Sequence, residues 1–224
     1  MKTELKLFLL FFAVLISCTT ITAKKTVTWK LAELPVVQKG NIEIVGNPKI
    51  VKTKLSDAVL FDGDDGYFSN INPLNGMDSF TLEVVVKPDG DGYKSPRFMH
   101  FGSVGEKRMM CELRINNGKE WYFDAHLNAG EKGSLTLKDS SLTHPTDKWY
   151  TISVVCANGH MATYVNGQKE LSGNVEFDPF DSGKASFGFR QNYSSWFKGS
   201  IYMIRVSPKA LRPQNFLKTH NKLN

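Results

Sequence analysis

The chain is poor in cysteine, with three in 224 residues: Cys18, Cys111 and Cys156. So few exclude a disulfide framework. Cys111 and Cys156 sit inside strand-like runs, where a thiol serves as a small apolar side chain. Beyond the first segment no apolar run reaches the roughly 20 residues that span a bilayer. No block of Lys and Arg and no basic helix is present, which excludes the usual footprint of nucleic-acid binding. The 28 Lys and Arg exceed the 22 Asp and Glu, for a net charge of +6, a modest surplus that favours an anionic partner. His100, His126, His144 and His160 lack zinc-ligand spacing. Helical periodicity is missing too; the one stretch that fits a short helix is Leu211 to His220.

The first residues have what the rest lacks. Lys2 and Lys6 flank a basic start, and Leu7 to Ile16 is uncharged and apolar. The run is too short for a membrane span and suits the core of a secretory signal peptide. Two exits are open. Ile21-Thr22-Ala23 offers small residues for cleavage before Lys24, which makes 1–23 a signal peptide and 24–224 a single domain. Leu15-Ile16-Ser17-Cys18 reads as a lipobox, which would leave a lipidated Cys18 and an outer-membrane lipoprotein. Either route takes the protein out of the cytoplasm, to the periplasm, the cell surface or the medium, and a lipid anchor would be its sole tie to a membrane.

The remaining chain alternates with period two. Asn41 to Val45, Ala58 to Phe61, Thr81 to Val86, Arg97 to Phe101, Met109 to Ile115 and Trp121 to Leu127 read as strands. Trp149 to Cys156, Met161 to Val165, Ala185 to Arg190 and Ser200 to Val206 continue the series. These runs are short, rich in β-branched and aromatic residues, and bounded by Gly, Pro, Asn and Asp. Asn117-Gly118, Asn158-Gly159 and Asn166-Gly167 suit hairpin turns that need positive φ. The pattern predicts an all-β, antiparallel two-sheet sandwich.

Ala58-Val59-Leu60-Phe61-Asp62-Gly63-Asp64-Asp65-Gly66-Tyr67 resembles the opening strand and turn of laminin-G-like jelly rolls of the concanavalin A-like superfamily. Ser79 to Pro88 is similar to the next strand, and Lys148-Trp149-Tyr150-Thr151-Ile152-Ser153-Val154-Val155 to the family's Trp-led strand. Tyr164-Val165-Asn166-Gly167 matches its hairpin. Phe197-Lys198-Gly199-Ser200-Ile201, Ile204-Arg205-Val206 and Ala210-Leu211 resemble the closing strand and tail. The matches follow the family's order over most of Ala58 to Leu211. The resemblance implies a jelly roll. It does not fix a function, because the superfamily includes lectins, adhesion modules, glycoside hydrolases and polysaccharide lyases. It also implies a possible structural Ca²⁺ near the first strands, where Asp62 and Asp64 are the weak candidates; Asp-Gly is equally the chemistry of any tight turn. No other cofactor is implied.

Alternation separates two faces. Met109, Cys111, Leu113 and Ile115 form an apolar side, opposite Met110, Glu112 and Arg114. Trp121, Phe123, Ala125 and Leu127 leave Tyr122, Asp124 and His126 opposite. Keeping apolar with apolar across this hairpin selects a three-residue loop, Asn117-Gly118-Lys119, and pairs Glu112 with Asp124, Arg114 with Tyr122 and Met110 with His126. His100 shares the polar parity on a neighbouring strand, as do Ser153 and Arg190, and Trp196 follows at a loop rim. In related folds the concave sheet face holds sugar. A pyranose offers hydroxyls to Arg, Asp, Glu and His, and a C–H face to Tyr or Trp. The expected ligand site is therefore His100, Glu112, Arg114, Tyr122, Asp124, His126, Arg190 and Trp196, and the expected partner a polysaccharide or glycan.

Catalysis ranks below binding. A glycosidase of this fold would carry Glu-x-Asp-x-Glu or a near variant along one strand, and none exists. Were the chain a hydrolase or lyase, Glu112, Asp124, Arg114, Tyr122 and His100 would be the reacting set, since a retaining pair needs carboxyls about 5–5.5 Å apart. A protein-interaction or adhesion module is the other reading that the same fold serves.

Overall fold

The computed structural model describes residues 24–224, so the leader, both cleavage signals and Cys18 lie outside the described residues. The strands in chain order are β1 (Val27–Lys30), β2 (Ile42–Val45), β3 (Lys49–Lys52), β4 (Asp57–Asp62), β5 (Gly66–Ser69), β6 (Phe80–Pro88), β7 (Arg97–Gly102) and β8 (Arg108–Asn116). They continue as β9 (Glu120–Asn128), β10 (Ser134–Lys138), β11 (His144–Pro145), β12 (Tyr150–Ala157), β13 (His160–Val165), β14 (Gln168–Asn174), β15 (Lys184–Phe187) and β16 (Lys198–Ser207). One sheet runs β14-β13-β12-β6-β16-β4-β3, with β1 also on β16; the other runs β10-β9-β8-β7-β15-β5-β2, with β11 also on β9. Every pair of strands is antiparallel, which makes the molecule a jelly-roll sandwich.

Alternation sets what each sheet turns inward. Leu82, Val84 and Val86 of β6, Ile152, Val154 and Cys156 of β12, and Ile204 and Val206 of β16 face Met99, Phe101, Met109, Cys111, Leu113, Trp121, Phe123 and Leu127, all buried in one core. Burying one such side chain contributes about 1.5–3 kcal/mol, against about 0.2–1 for a cross-strand polar pair. The core therefore dictates register. Glu112 pairs with Asp124, Arg114 with Tyr122 and Met110 with His126, and Asn116↔Glu120 closes the three-residue loop. Asn117, Asn158 and Asn166 adopt φ of 51°, 51° and 52°, as the hairpin turns require. Cys111 and Cys156 are free, buried thiols.

Several expectations need correction. Leu211 to His220 is not a helix: Pro213–Asn215 makes a single 3₁₀ turn, and the α-helical turn His220–Leu223 begins only where the expected helix was to end. Pro213 at the start and extended backbone at Phe216 stop propagation. A 3₁₀ turn at Leu31–Glu33 leads into one helical turn at Leu34–Val37, stretches with no legible helical period. The strand expected to reach Arg190 ends at Phe187, because Gly188 has φ +90° and leaves the ladder. Strands β1, β3, β5, β10, β11 and β14 were not legible; all are short or rich in Lys, Ser and Gly.

The segment after β16 crosses the outer face of the first sheet. Thr81 Oγ1 donates to Lys209 O and accepts from Leu211 N–H, both at 2.8 Å. Leu217 N–H donates to Glu83 Oε1 at 2.7 Å, and Arg205 donates to Glu83 Oε2 at 2.5 Å and to Asn215 O at 2.8 Å. His220 Nδ1 meets Thr151 Oγ1 at 2.8 Å, and Leu223 packs with Ala58, Val85, Trp149 and Tyr202. Glu83 and Ser153 are thereby sealed. Among the described residues the outer face of the second sheet carries no such strap, only the loop that follows Phe187.

Candidate functional site

On that second outer face, β15, β7, β8, β9 and β10 put rows of side chains abreast. One row is Ser186, His100, Met110, His126 and Thr136; the next joins Arg97, Glu112, Asp124 and Lys138. A bulge between Arg97 and Met99 turns Arg97 onto the outer face beside Glu112.

The two facing carboxylates would repel without compensation. Arg114 resolves this by spanning both, with its guanidinium 2.6 Å from Glu112 Oε1 and donating to Asp124 Oδ2 at 2.9 and 3.0 Å. Arg97 Nε lies 2.7 Å from Glu112 Oε2, and Lys138 reaches Asp124 at 3.9 Å. Ser95 Oγ accepts a further bond from Arg114 at 2.6 Å. Burial pushes the Glu112 carboxyl above its usual value, and Arg97 and Arg114 offset part of that push. Both carboxylates are almost fully buried, so the network is rigid before any ligand arrives.

Around it lies a shallow depression of about 310 Å³, lined by Arg97, Arg108, Met110, Glu112, Arg114, Asp124, His126, Thr136, Lys138 and Arg190. Of the expected set, Glu112, Arg114, Asp124, His126 and Arg190 meet in it. Tyr122 stands one step away, in an adjoining depression that shares Arg114 with Lys94, Ser95 and Ser140. His126 Nδ1 contacts Thr136 Oγ1 at 2.8 Å; burial, then the charge of Arg108, lowers its pKa.

Two expectations fail. His100 has the predicted parity but no exposure, because the backbone of Gln191 closes over it: Gln191 N–H donates to His100 Nδ1 at 3.3 Å and Gln191 Nε2 to His100 O at 3.1 Å. Burial, followed by the charges of Arg190, Arg108 and Arg97, holds its imidazole at about 3. It is a neutral support under the site and is sealed from any ligand. Ser153 belongs to the other sheet, opposite Glu83, so its parity placed it on the wrong face.

Arg97, Arg108 and Lys138 were missed, as was the aromatic stack beside them. Arg97 donates to Ser195 Oγ at 2.6 Å and its N–H to Ser195 O at 2.8 Å, which ties the loop 190–196 to the sheet. In this loop Tyr193 and Ser195 take φ of 57° and 56°, unusual for side chains with a Cβ. The turn sets Tyr193 parallel to Phe68 (centroids 6.3 Å, 5°) and against Phe189 (5.4 Å), with Trp196 stacked on Phe189 at 4.8 Å. Trp196 is half-buried, and Tyr193 is the open end of the stack. The missed charges were readable only as isolated basic residues; their convergence depends on the bulge and on the return of the 190–196 loop.

Asp62 and Asp64, the weak metal candidates, are exposed and gather with buried Asp65, their carboxylates within 4.8 Å of one another. Asp65 Oδ1 accepts Asp62 N–H at 3.1 Å, and burial raises its carboxyl to about 6. Three carboxylates supply part of the 6–8 oxygens that Ca²⁺ takes, and the bond from Asp62 N–H to Asp65 is that of a tight turn.

A family model described as "Concanavalin A-like lectin/glucanases superfamily" matches residues 61–215. Among solved structures, domain 4 of AbnA, a GH43 extracellular arabinanase from Geobacillus stearothermophilus, in complex with arabinotriose, is similar over 90% of this chain and 98% of its own, at 15% identity and a TM-score of 0.57. The botulinum neurotoxin serotype D binding domain is similar over 78% of this chain and 44% of its own, at 17% identity and a TM-score of 0.58. The binding domain of botulinum neurotoxin DC in complex with SialylT is similar over 82% and 46%, at 14% identity and a TM-score of 0.58. The chain thus spans under half the length of those toxin domains. At such identities the likeness is one of fold. No curated protein sequence matches the chain. The chain belongs to the concanavalin A-like lectin/glucanases superfamily.

Proposed function

We propose that this superfamily member is a non-catalytic, extracytoplasmic carbohydrate-binding module whose ligand lies on the outer face of the second sheet. One observation carries the reading: Arg114 locks Glu112 and Asp124 into a fixed set of donors and acceptors at the floor of a depression on the outer face of the second sheet. Fixed side chains lose little rotamer freedom on binding, so hydroxyl contacts there yield net affinity. Tyr193 and Trp196 add stacking surface beside it. Similar folds solved with arabinotriose and with SialylT support the choice of a glycan. The leader at 1–23 fits export, with a free or lipidated N-terminus.

The same geometry argues against hydrolysis or elimination. Both carboxylates are engaged by arginine, and His100, the proton carrier such a reaction would want, is sealed. The test is retention on a glycan array and on insoluble polysaccharides by wild type and Arg114→Ala, with circular dichroism to monitor the fold. Retention that drops about tenfold or more in a folded mutant supports the reading. Tight capture of a protein partner with no glycan retained would replace it with adhesion. Release of reducing ends or unsaturated uronates, abolished by Glu112→Gln, would make the protein an enzyme.

A further inference from the structure

The depression is out of electrostatic balance. Five cationic side chains line it against two carboxylates, and those two are already engaged by Arg97, Arg114 and Lys138. Among the described residues neither Arg108 nor Arg190 meets a carboxylate. Arg108 donates through Nη1 to Glu106 O, 2.9 Å away, while the Nε of each is buried without an acceptor. Unpaired guanidinium donors removed from water are costly, and an arrangement that holds them together gains most from an anion that takes both.

Resting on the glycan reading above, we propose that the Arg108–Arg190 end of this depression is the seat for the negatively charged group of an acidic sugar. The neutral hydroxyls of the same unit fall to Glu112, Asp124 and Arg114. A planar guanidinium fork suits a carboxylate or a sulfate, and a neutral hydroxyl satisfies it poorly. The surroundings agree: burial first, then the charge of the arginines, lowers the pKa of His100 and His126, which disfavours further positive charge from either imidazole. The +6 of the whole chain is secondary, because surface lysines are hydrated and lack this convergence.

The experiment compares polygalacturonate (carboxylate), dextran sulfate (sulfate), and neutral arabinan and dextran, by affinity electrophoresis and calorimetry at low and high salt. The proteins are wild type, Arg108→Gln/Arg190→Gln, and a control of equal charge loss on the other sheet, Lys49→Gln/Lys169→Gln. The expected result is binding to an acidic polymer that weakens about tenfold or more in the arginine double mutant and holds in the lysine control. Which acidic polymer is preferred identifies the group. Binding to arabinan or dextran that both doubles leave intact would overturn the proposal and keep the glycan reading. Equal losses in both doubles would overturn it as non-specific charge. Retention of no polysaccharide by wild type would overturn the glycan reading, and this proposal with it.

Discussion

The outer faces of the two sheets solve the same problem in different ways. Each carries a central glutamate held by arginine: Glu83 by Arg205 on the first, Glu112 by Arg97 and Arg114 on the second. On the first face the chain covers its own pair, with Leu217 N–H filling the remaining acceptor of Glu83 and Asn215 O taking a donor of Arg205. On the second face the 190–196 loop returns over His100 and Arg97, yet among the described residues the Nε groups of Arg108 and Arg190 find no acceptor. A buried ion pair needs its leftover donors and acceptors satisfied. Where the protein does this itself the pair is structural; where it does not, a polar ligand can complete the set.

The sharpest way to break that comparison is to disrupt the arginine–glutamate pair on each face. Arg205→Met strands a fully buried Glu83 and should cost about 3–5 kcal/mol in urea unfolding, with glycan retention unchanged below the transition. Glu112→Gln should cost only about 1 kcal/mol, because Arg97 and Arg114 keep access to water and Arg114 keeps Asp124, yet it should weaken glycan retention. Equal stability losses on both faces would mean that the open face is a structural pair like its counterpart.

Acid should distinguish the faces next. His100 stays neutral when folded, with its pKa held at about 3 against an ordinary 6.5. Below about pH 6.5 the unfolded chain takes up a proton that the native state refuses. The stabilisation is therefore complete above that pH and is lost as pH falls toward 3, by up to about 1.4 kcal/mol per pH unit. His220 under the strap is depressed in the same direction, by burial. His100→Gln should flatten the fall in urea midpoint between pH 6.5 and 4.5 more than His220→Gln does. The reverse order would make the strap the acid-sensitive element.

The sandwich was legible because burial dominates strand choice. Trp121, Phe123, Ala125 and Leu127 could face inward in only one register, and that register fixed Glu112 opposite Asp124 without any view of the structure. Legibility stopped where the chain leaves the ladder. His100 has the right parity but lies under Gln191, and parity says nothing about what a distant loop covers. Ser153 had the right parity on the wrong sheet, since alternation does not assign strands to layers. The helix expected at Leu211 to His220 became the strap, whose backbone groups bind side chains of the sheet instead of one another.

The smallest effect concerns the rim of the open face. Tyr193 is half-exposed and its φ of +57° favours Asn, so Tyr193→Asn deletes the ring while keeping the turn. Its ring is exposed but packs on fully buried Phe189 and half-buried Phe68, so its loss should lower the melting temperature modestly and less than loss of Trp196. If a sugar ring packs there, affinity should fall about fivefold, or about 1 kcal/mol. Trp196→Ala, which uncovers Phe189, should lower both affinity and melting temperature. A drop in melting temperature with unchanged affinity in Tyr193→Asn would confine recognition to the arginines, and the aromatic stack would join the strap as structure.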